Sequence, residues 1–232
     1  MSPQDVLVLI PGYNESKNIG RVVSAVHHFG YPVLVIDDGS KDDMAAQAKS
    51  AGAEVLSYSP NQGKGVAIRR GIEWFLAHSS AQAAIFMDSD GQHDPADLPS
   101  FLKAFEDPRA GLVVGNRMSD PKGMPLIRRL TNRGMSGLLS LICGQSVPDT
   151  QCGYRAARRE TLSCIRLHTE RFEIESEMVL EAARTGALIL SVPIRSVYEG
   201  GGSHIKPGRD TQRFFRFLFS YLRQSRKNKN IR

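Results

Sequence analysis

Nowhere in its 232 residues does the chain carry an apolar run near the roughly 18 residues that a membrane-spanning helix needs. The longest runs, Val6 to Pro11 and Leu138 to Cys143, are short. Cysteine is scarce. Cys143, Cys152 and Cys164 are an odd number without CxxC spacing, which excludes a disulfide framework and a zinc site and predicts reduced thiols in a cytosolic protein. The N-terminus has no basic stretch and reaches Asn14 and Glu15 too early for a signal peptide. Glycine (21) and proline (12) stand at ordinary levels, so collagen-like and low-complexity readings fail. The nucleotide motifs GxxxxGK[ST] and full GxGxxG are missing. Gly63-Lys64-Gly65 follows the third predicted strand instead of the first, which argues against a P-loop ATPase and a dinucleotide enzyme. That triplet reads as a tight turn into a helix, with Lys64 part of the turn.

What is present suits one folded domain with an appendage: 41% hydrophobic and 23% charged residues support a sizeable core. The net charge of +6 is unevenly placed. Nine Lys/Arg and a single Asp lie between Ser203 and Arg232, so the preceding body is slightly acidic and the tail strongly basic.

The first half alternates short β-rich runs with amphipathic stretches. Strands are expected at 6–11, 33–37, 54–59, 83–88 and 112–115, and helices at 16–29, 42–50, 63–78 and 95–105. The strands lack period-two alternation, as when helices cover both faces of a parallel sheet, and the βαβα order predicts an open α/β fold. Ligands of such folds sit at the carboxyl ends of the strands. Polar clusters fall there four times: Pro11-Gly12-Tyr13-Asn14-Glu15, Asp37-Asp38-Gly39-Ser40, Asn61-Gln62-Gly63-Lys64-Gly65 and Asp88-Ser89-Asp90-Gly91-Gln92. Further on, helices are expected at 126–141 and 172–185, a strand at 188–194, and a final helix from Asp210.

Asp88 and Asp90 are the sharpest feature. Residues i and i+2 leaving a strand can point the same way, and converging carboxylates repel unless a cation or a proton sits between them; the plainer alternative is a capping Asp followed by a turn. Oxygen ligands of this kind suit Mg²⁺ or Mn²⁺ with a substrate phosphate completing the shell. Asp37-Asp38-Gly39-Ser40 reads alone as a turn with a helix cap, or as carboxylates facing a ribose or base edge.

In order and spacing these motifs resemble family 2 glycosyltransferases with the GT-A fold. Gly115-Asn116-Arg117, the arginine-rich segment to Arg133, Asp149-x-x-x-Gly153-Tyr154-Arg155 and Glu175 extend the resemblance toward the polyprenyl-phosphate (dolichyl-phosphate) mannose synthase branch, over roughly residues 5–206. The resemblance implies a GT-A domain, Rossmann-like with a mostly parallel central sheet flanked by helices, at 1–206, and a basic amphipathic helix and tail at 207–232. It implies an inverting transfer of a sugar, mannose or glucose, from a nucleotide-diphosphate sugar, with Mg²⁺ or Mn²⁺. Pro11, Tyr13, Glu15, Asp37, Asp38, Asp88, Ser89 and Asp90 would bind the nucleotide sugar. Asp88, Asp90 and Gln92 would hold the metal, whose charge stabilises the leaving diphosphate. Arg117 and Arg133, with Ser136, would bind an acceptor phosphate, and Asp90, Arg117 and Arg133 would be the catalytic set. Arg129 is a further helper. Relatives of this branch have an Arg and then a Gly-x-Ser-Lys segment over the donor diphosphate. Here Tyr198 and Ser203-His204 stand at those places, and His204 and Lys206 are the substitutes.

The acceptor has its own physical argument. A hydroxyl acceptor must lose a proton to a positioned base. A phosphate monoester, with a second pKa near about 6, is already ionised and needs cations instead. The chain is rich in Arg where a base would be sought, and Asp149 and Glu175 read as orienting the arginines or capping helices. The rival is transfer to a glycan or lipid hydroxyl, with Asp149 or Glu175 as base. A non-catalytic nucleotide-sugar binding module is the other. The tail crowds Phe214, Phe215, Phe217, Phe219 and Tyr221 among arginines, which suits an anionic membrane surface, or a terminal helix docking its Phe residues onto the domain, and not a groove tracking nucleic acid. The enzyme is therefore expected on the cytoplasmic face of a membrane. Family members often carry transmembrane helices after the catalytic domain, and none follows here, which adds a membrane-protein partner to the expectations.

Overall fold

The computed structural model describes residues 1–121, 123–195 and 207–229, the last stretch with side chains at 212–223. Its contacts separate Met1–Glu199 from Gly200–Arg232.

The first unit is built on seven strands: β1 (Val6–Gly12), β2 (Val33–Asp38), β3 (Glu54–Tyr58), β4 (Ala83–Phe86), β5 (Ala110–Asn116), β6 (Arg155–Arg158) and β7 (Leu188–Pro193). They form one sheet in the order β3-β2-β1-β4-β6-β5-β7, in which only β6 runs antiparallel to its neighbours. Every residue of β1, β2 and β4 is buried, which explains their unbroken apolar runs. The helices are α1 (Ser16–His28), α2 (Met44–Ser50), α3 (Lys64–His78), α4 (Leu98–Ala104), α5 (Leu126–Cys143), α6 (Arg159–Cys164) and α7 (Glu173–Arg184). In α1 the buried residues are Ile19, Val22, Val23 and Val26, an i, i+3, i+4, i+7 stripe, each side chain stabilising by about 1.5–3 kcal/mol. Helix α3 buries Ala67, Ile68, Ile72 and Phe75 and packs on β1 and β2.

The sheet is mostly parallel, as expected, with two elements that the reading of the sequence passed over. Strand β6 and the short helix α6 lie within Arg155–Cys164, where no apolar run announces them. Arginines anchor β6 and the start of α6. Arg158 donates to the carbonyls of Ala110 (2.8 Å) and Phe105 (2.7 Å), and Arg159 to that of Ala81 (2.9 Å). Strand β4 is also shorter than expected and ends at Phe86, so Asp88 and Asp90 stand in the turn beyond it. The other bounds agree with expectation to within three residues.

The second unit contains α8 (Pro207–Lys229). Along it the Phe214 and Phe215 rings meet edge to face at 5.4 Å, and Phe217 and Tyr221 lie 5.9 Å apart one turn on. Phe215 and Phe219 are exposed. Among the described residues no helix is long and apolar enough to cross a membrane.

Candidate active site

Strands β1 and β4 pair only as far as Leu9 and Phe86. Pro11, which has no N–H to donate, follows in β1, and the two chains part there. This is where the strand order reverses, the usual position of a ligand crevice. Gly12 on one side is close to Ser89 on the other: a Cβ on Gly12 would stand 2.9 Å from Ser89 Oγ and nearer still to Met44.

Lys64 joins the turn beyond β4 to α7, against the expectation of a plain turn. Its ammonium lies 2.6 Å from Asp88 Oδ1 and 2.7 Å from Glu175 Oε1. The backbone puts it there. Gly63 has φ +99°, and Cβ atoms on Gly63 and Gly65 would strike the carbonyls of Glu170 and Thr169. The Gly65 N–H donates to Glu170 O at 2.8 Å. That overlying loop is latched by α7: Glu177 accepts from the His168 and Thr169 amides at 3.0 and 2.9 Å, and Glu181 from Arg166 N at 3.1 Å. Glu177 and Glu181 were not singled out from the sequence. Their i, i+4 spacing on a buried helix face is the signal that was available.

The charges respond to one another. Burial alone would raise the Asp88 carboxyl, but the Lys64 ammonium holds it well below the ordinary carboxylate range. Burial opposes the charged Lys64, yet Asp88 and Glu175 push it above the ordinary lysine range. Burial, and then the charge of Asp88, push Asp90 up. Asp90 Oδ1 accepts the Gln92 amide at 2.9 Å. His93 is buried, stacks on Tyr154 (4.8 Å) and accepts the Asp88 N–H on Nδ1 at 3.2 Å; burial pushes its ring down to the neutral form. Gly153 backs Asp88 so closely that a Cβ would stand 2.6 Å from Oδ2.

Among the described residues no three His, Cys, Asp or Glu side chains are grouped to hold an ion. Asp88, with one oxygen on Lys64, and Asp90, which accepts the Gln92 amide, are the carboxylates that follow β4. Carboxylates of this kind suit Mg²⁺ or Mn²⁺, which bind through one or two carboxylates and take further oxygens from phosphate.

On the expected nucleoside side, Asp37 and Asp38 are buried. Asp37 Oδ1 caps Ser40 N (2.9 Å). Asp38 accepts from Gln62 N, Gly63 N and Asn61 Nδ2 at 2.7–2.8 Å, so it shapes the turn ahead of Lys64. Tyr13 is exposed beside Asn14, whose φ of 56° lets its carboxamide accept Lys41 N at 2.7 Å. Glu15 accepts from Asn18 at 2.8 Å.

The expected acceptor side divides. Arg117 is buried and grips Asp149 through Nε (2.7 Å) and a terminal nitrogen (2.9 Å). Asn132 donates to the same carboxylate at 2.7 Å. Burial would raise Asp149, and Arg117 with Asn132 holds it low. Ser136 is buried; its hydroxyl lies 3.0 Å from Asn132 Oδ1 and 3.0 Å from Thr150 Oγ1 and accepts Thr150 N at 2.9 Å. Arg133 is exposed on α5, and Arg128 and Arg129 are half-buried there. Helix α5 is inverted: it buries Asn132, Met135, Ser136 and Leu139 and turns Leu126, Ile127 and Leu130 outward at 69%, 66% and 58% exposure. Arg155, fully buried, donates to the carbonyls of Cys152 and Glu175, tying α7 to the Asp149–Gly153 loop. Tyr198, His204 and Lys206 lie outside the described residues.

Comparison with known proteins supplies the family. The undecaprenyl-phosphate mannosyltransferase of Micrococcus luteus is 33% identical over 207 residues, covering 83% of each chain. The polyprenol monophosphomannose synthase of Mycolicibacterium smegmatis is 31% identical over 205 residues, covering 82% of this chain and 77% of its own. Glucosyl-3-phosphoglycerate synthase of Mycobacterium tuberculosis, solved with Mn²⁺, UDP and glucosyl-3-phosphoglycerate, superposes with a TM-score of 0.71 at 21% identity, over 93% of this chain and 78% of that one, and shares the fold. The model of glycosyl transferase family 2 matches residues 7–166, which run from β1 through the crevice to the end of α6, and the chain belongs to that family.

Proposed function

We propose that this protein transfers a hexose, with inversion, from a nucleoside-diphosphate sugar to a polyprenyl phosphate. The observation that carries the acceptor is the state of the two carboxylates that a hydroxyl acceptor would need as bases. Asp149 is clamped by Arg117 and Asn132, and Glu175 faces the Lys64 ammonium. Against its burial, Arg117 and Asn132 hold the Asp149 carboxyl below its ordinary range, which makes it a poor proton acceptor, and the Glu175 oxygen is already engaged by Lys64. A phosphate acceptor needs none, and Arg133, with Arg128 and Arg129, offers it charge. The two relatives named for lipid-phosphate acceptors support the same reading.

In this assignment Pro11, Tyr13, Glu15, Asp37 and Ser89 line the nucleoside end, and Asp38 fixes the Asn61–Gly63 turn. Asp88, Asp90 and Gln92 face the diphosphate and would hold Mg²⁺ or Mn²⁺. A divalent ion there supplies charge to the leaving diphosphate. Arg117 orients Asp149 and the start of the Arg117–Ser119 turn. His204 and Lys206 are assigned to closure over the donor. The catalytic domain is assigned to 1–206 and a surface-binding helix to 207–232. Support for an anionic membrane as the place of action is the arginine-flanked aromatic run of α8 and the outward Leu126, Ile127 and Leu130 of α5, a helix without a single acidic residue. The cytoplasmic face and a membrane-protein partner belong to the same reading.

The test offers GDP-mannose, UDP-glucose and other nucleotide sugars with Mn²⁺ or Mg²⁺ to a short polyprenyl phosphate and, in parallel, to the free polyprenol. Transfer to the phosphate alone, lost in Asp90→Ala and lowered at least tenfold in Arg133→Ala, is the expected result. Transfer to the polyprenol, or donor binding without turnover on either lipid, overturns it.

A further inference from the structure

We propose that Lys64 is the resident counter-charge of the donor site: held between Asp88 and Glu175, it keeps the aspartates from taking a divalent cation tightly by themselves and favours the cation together with a nucleoside diphosphate. The inference rests on the donor-site reading above and adds to it a residue that acts through its charge.

Three observations carry it. The ammonium makes two short contacts, 2.6 Å to Asp88 Oδ1 and 2.7 Å to Glu175 Oε1. It does not reach them on a free stem. The Gly63–Gly65 backbone is pressed under Thr169 and Glu170, that loop is latched by Glu177, and the Phe172 ring stands 5.5 Å from Nζ. Finally, the local charges are few and of known sign. Asp88 and Glu175 face each other across Lys64, Asp90 follows Asp88 by two residues, and Arg117 is engaged with Asp149. Without the ammonium, adjacent carboxylates would draw a bare dication strongly. With it, Asp88 Oδ1 is occupied and a positive charge stands within a few ångströms of any cation bound there. The same charge attracts an anionic diphosphate. One side chain thus acts with opposite sign on the two halves of the donor complex.

The sign makes the test. Wild type, Lys64→Met, Lys64→Arg and Glu175→Gln full-length proteins are titrated with Mn²⁺ alone, followed by electron paramagnetic resonance of the free ion. They are also titrated with UDP and GDP without metal, by calorimetry. Lys64→Met is expected to bind Mn²⁺ alone about tenfold more tightly and the nucleotides about tenfold more weakly. Glu175→Gln removes a negative charge and keeps the ammonium on Asp88, so it shifts both affinities the other way. Lys64→Arg stays near wild type in sign. A merely structural role would weaken both ligands in both variants. Parallel losses, or shifts under about twofold in folded variants, overturn the proposal. Should Lys64→Met fail to fold, Glu175→Gln decides alone: weaker Mn²⁺ with tighter nucleotide supports the inference, and any other pattern overturns it. A wild type that binds the Mn²⁺–nucleotide pair while the variants fail to split overturns the inference only. A wild type that binds neither ion nor nucleotide overturns the donor-site reading as well.

Discussion

At the scale of single residues, the crevice is exacting about volume. Gly153 has no room for a methyl group, because Asp88, fixed by Lys64, cannot retreat. Gly153→Ala is expected to cost about 1–3 kcal/mol of stability and to lower sugar transfer more than tenfold, read by thermal unfolding and initial rates side by side. The thiols separate in the same local way. Burial pushes Cys143 up to about 11 and Cys152 to about 12, while Cys164 is exposed. A thiol reagent at neutral pH should label Cys164 quickly and the other two only after unfolding. Lys64 shows why a residue-by-residue reading of the sequence falls short. Between two glycines it has the look of turn chemistry, and its partners at 88 and 175 are distant in the chain. The polar rims after β1, β2 and β4 were legible because each is complete within five residues. The Lys64 contact is not.

At the scale of elements, two cases went differently. The arginines of helix α5 were legible in the sequence, but its buried face was not. The helix turns Asn132 and Ser136 inward, where they find partners in Asp149 and Thr150, and leaves Leu126, Ile127 and Leu130 outside. Hydrophobic periodicity shows that a face exists but not which side faces the core. Replacing Leu126, Ile127 and Leu130 together by Asn should leave the melting temperature within a degree or two and lower sedimentation with phosphatidylglycerol vesicles several-fold. Unchanged sedimentation would remove α5 from the lipid surface. Strand β6 was invisible because its pairing is secured by guanidinium groups reaching carbonyls, a pattern with no period. Arg155→Leu should destabilise by about 1–3 kcal/mol per carbonyl left buried without a donor, measured by urea unfolding.

For the whole molecule, the buried charges set the response to acid. His93 is held neutral below its ordinary 6.5. The unfolded chain therefore takes up a proton there before the folded one, and stability falls as pH drops through about 6.5. Asp88 and Asp149 are held below 3.8, so the stability they contribute is present above that value and lost beneath it. Asp90 and Asp97, both raised, act in the opposite sense near pH 4. Melting temperature should thus decline in a first step near pH 6.5, and His93→Asn, which keeps an acceptor for the Asp88 amide, should flatten that step. The mostly parallel sheet and its crevice were legible from strand order, since βαβα repetition leaves few ways to arrange the layers.

The pairing of Lys64 with Glu175 spans 111 residues. A chain emerging from the ribosome presents the glycine-flanked lysine early, with the first three strands, and its glutamate only when α7 has followed almost the whole body out. Local strands and helices form as they appear, but contacts of such separation wait for the segments between them to collapse. The donor crevice is thus among the last parts of the molecule to be completed, and a chain interrupted before α7 holds its first six strands while lacking the charge arrangement that receives the substrate. Synthesis from N- to C-terminus delays the chemistry until the body around it is nearly whole.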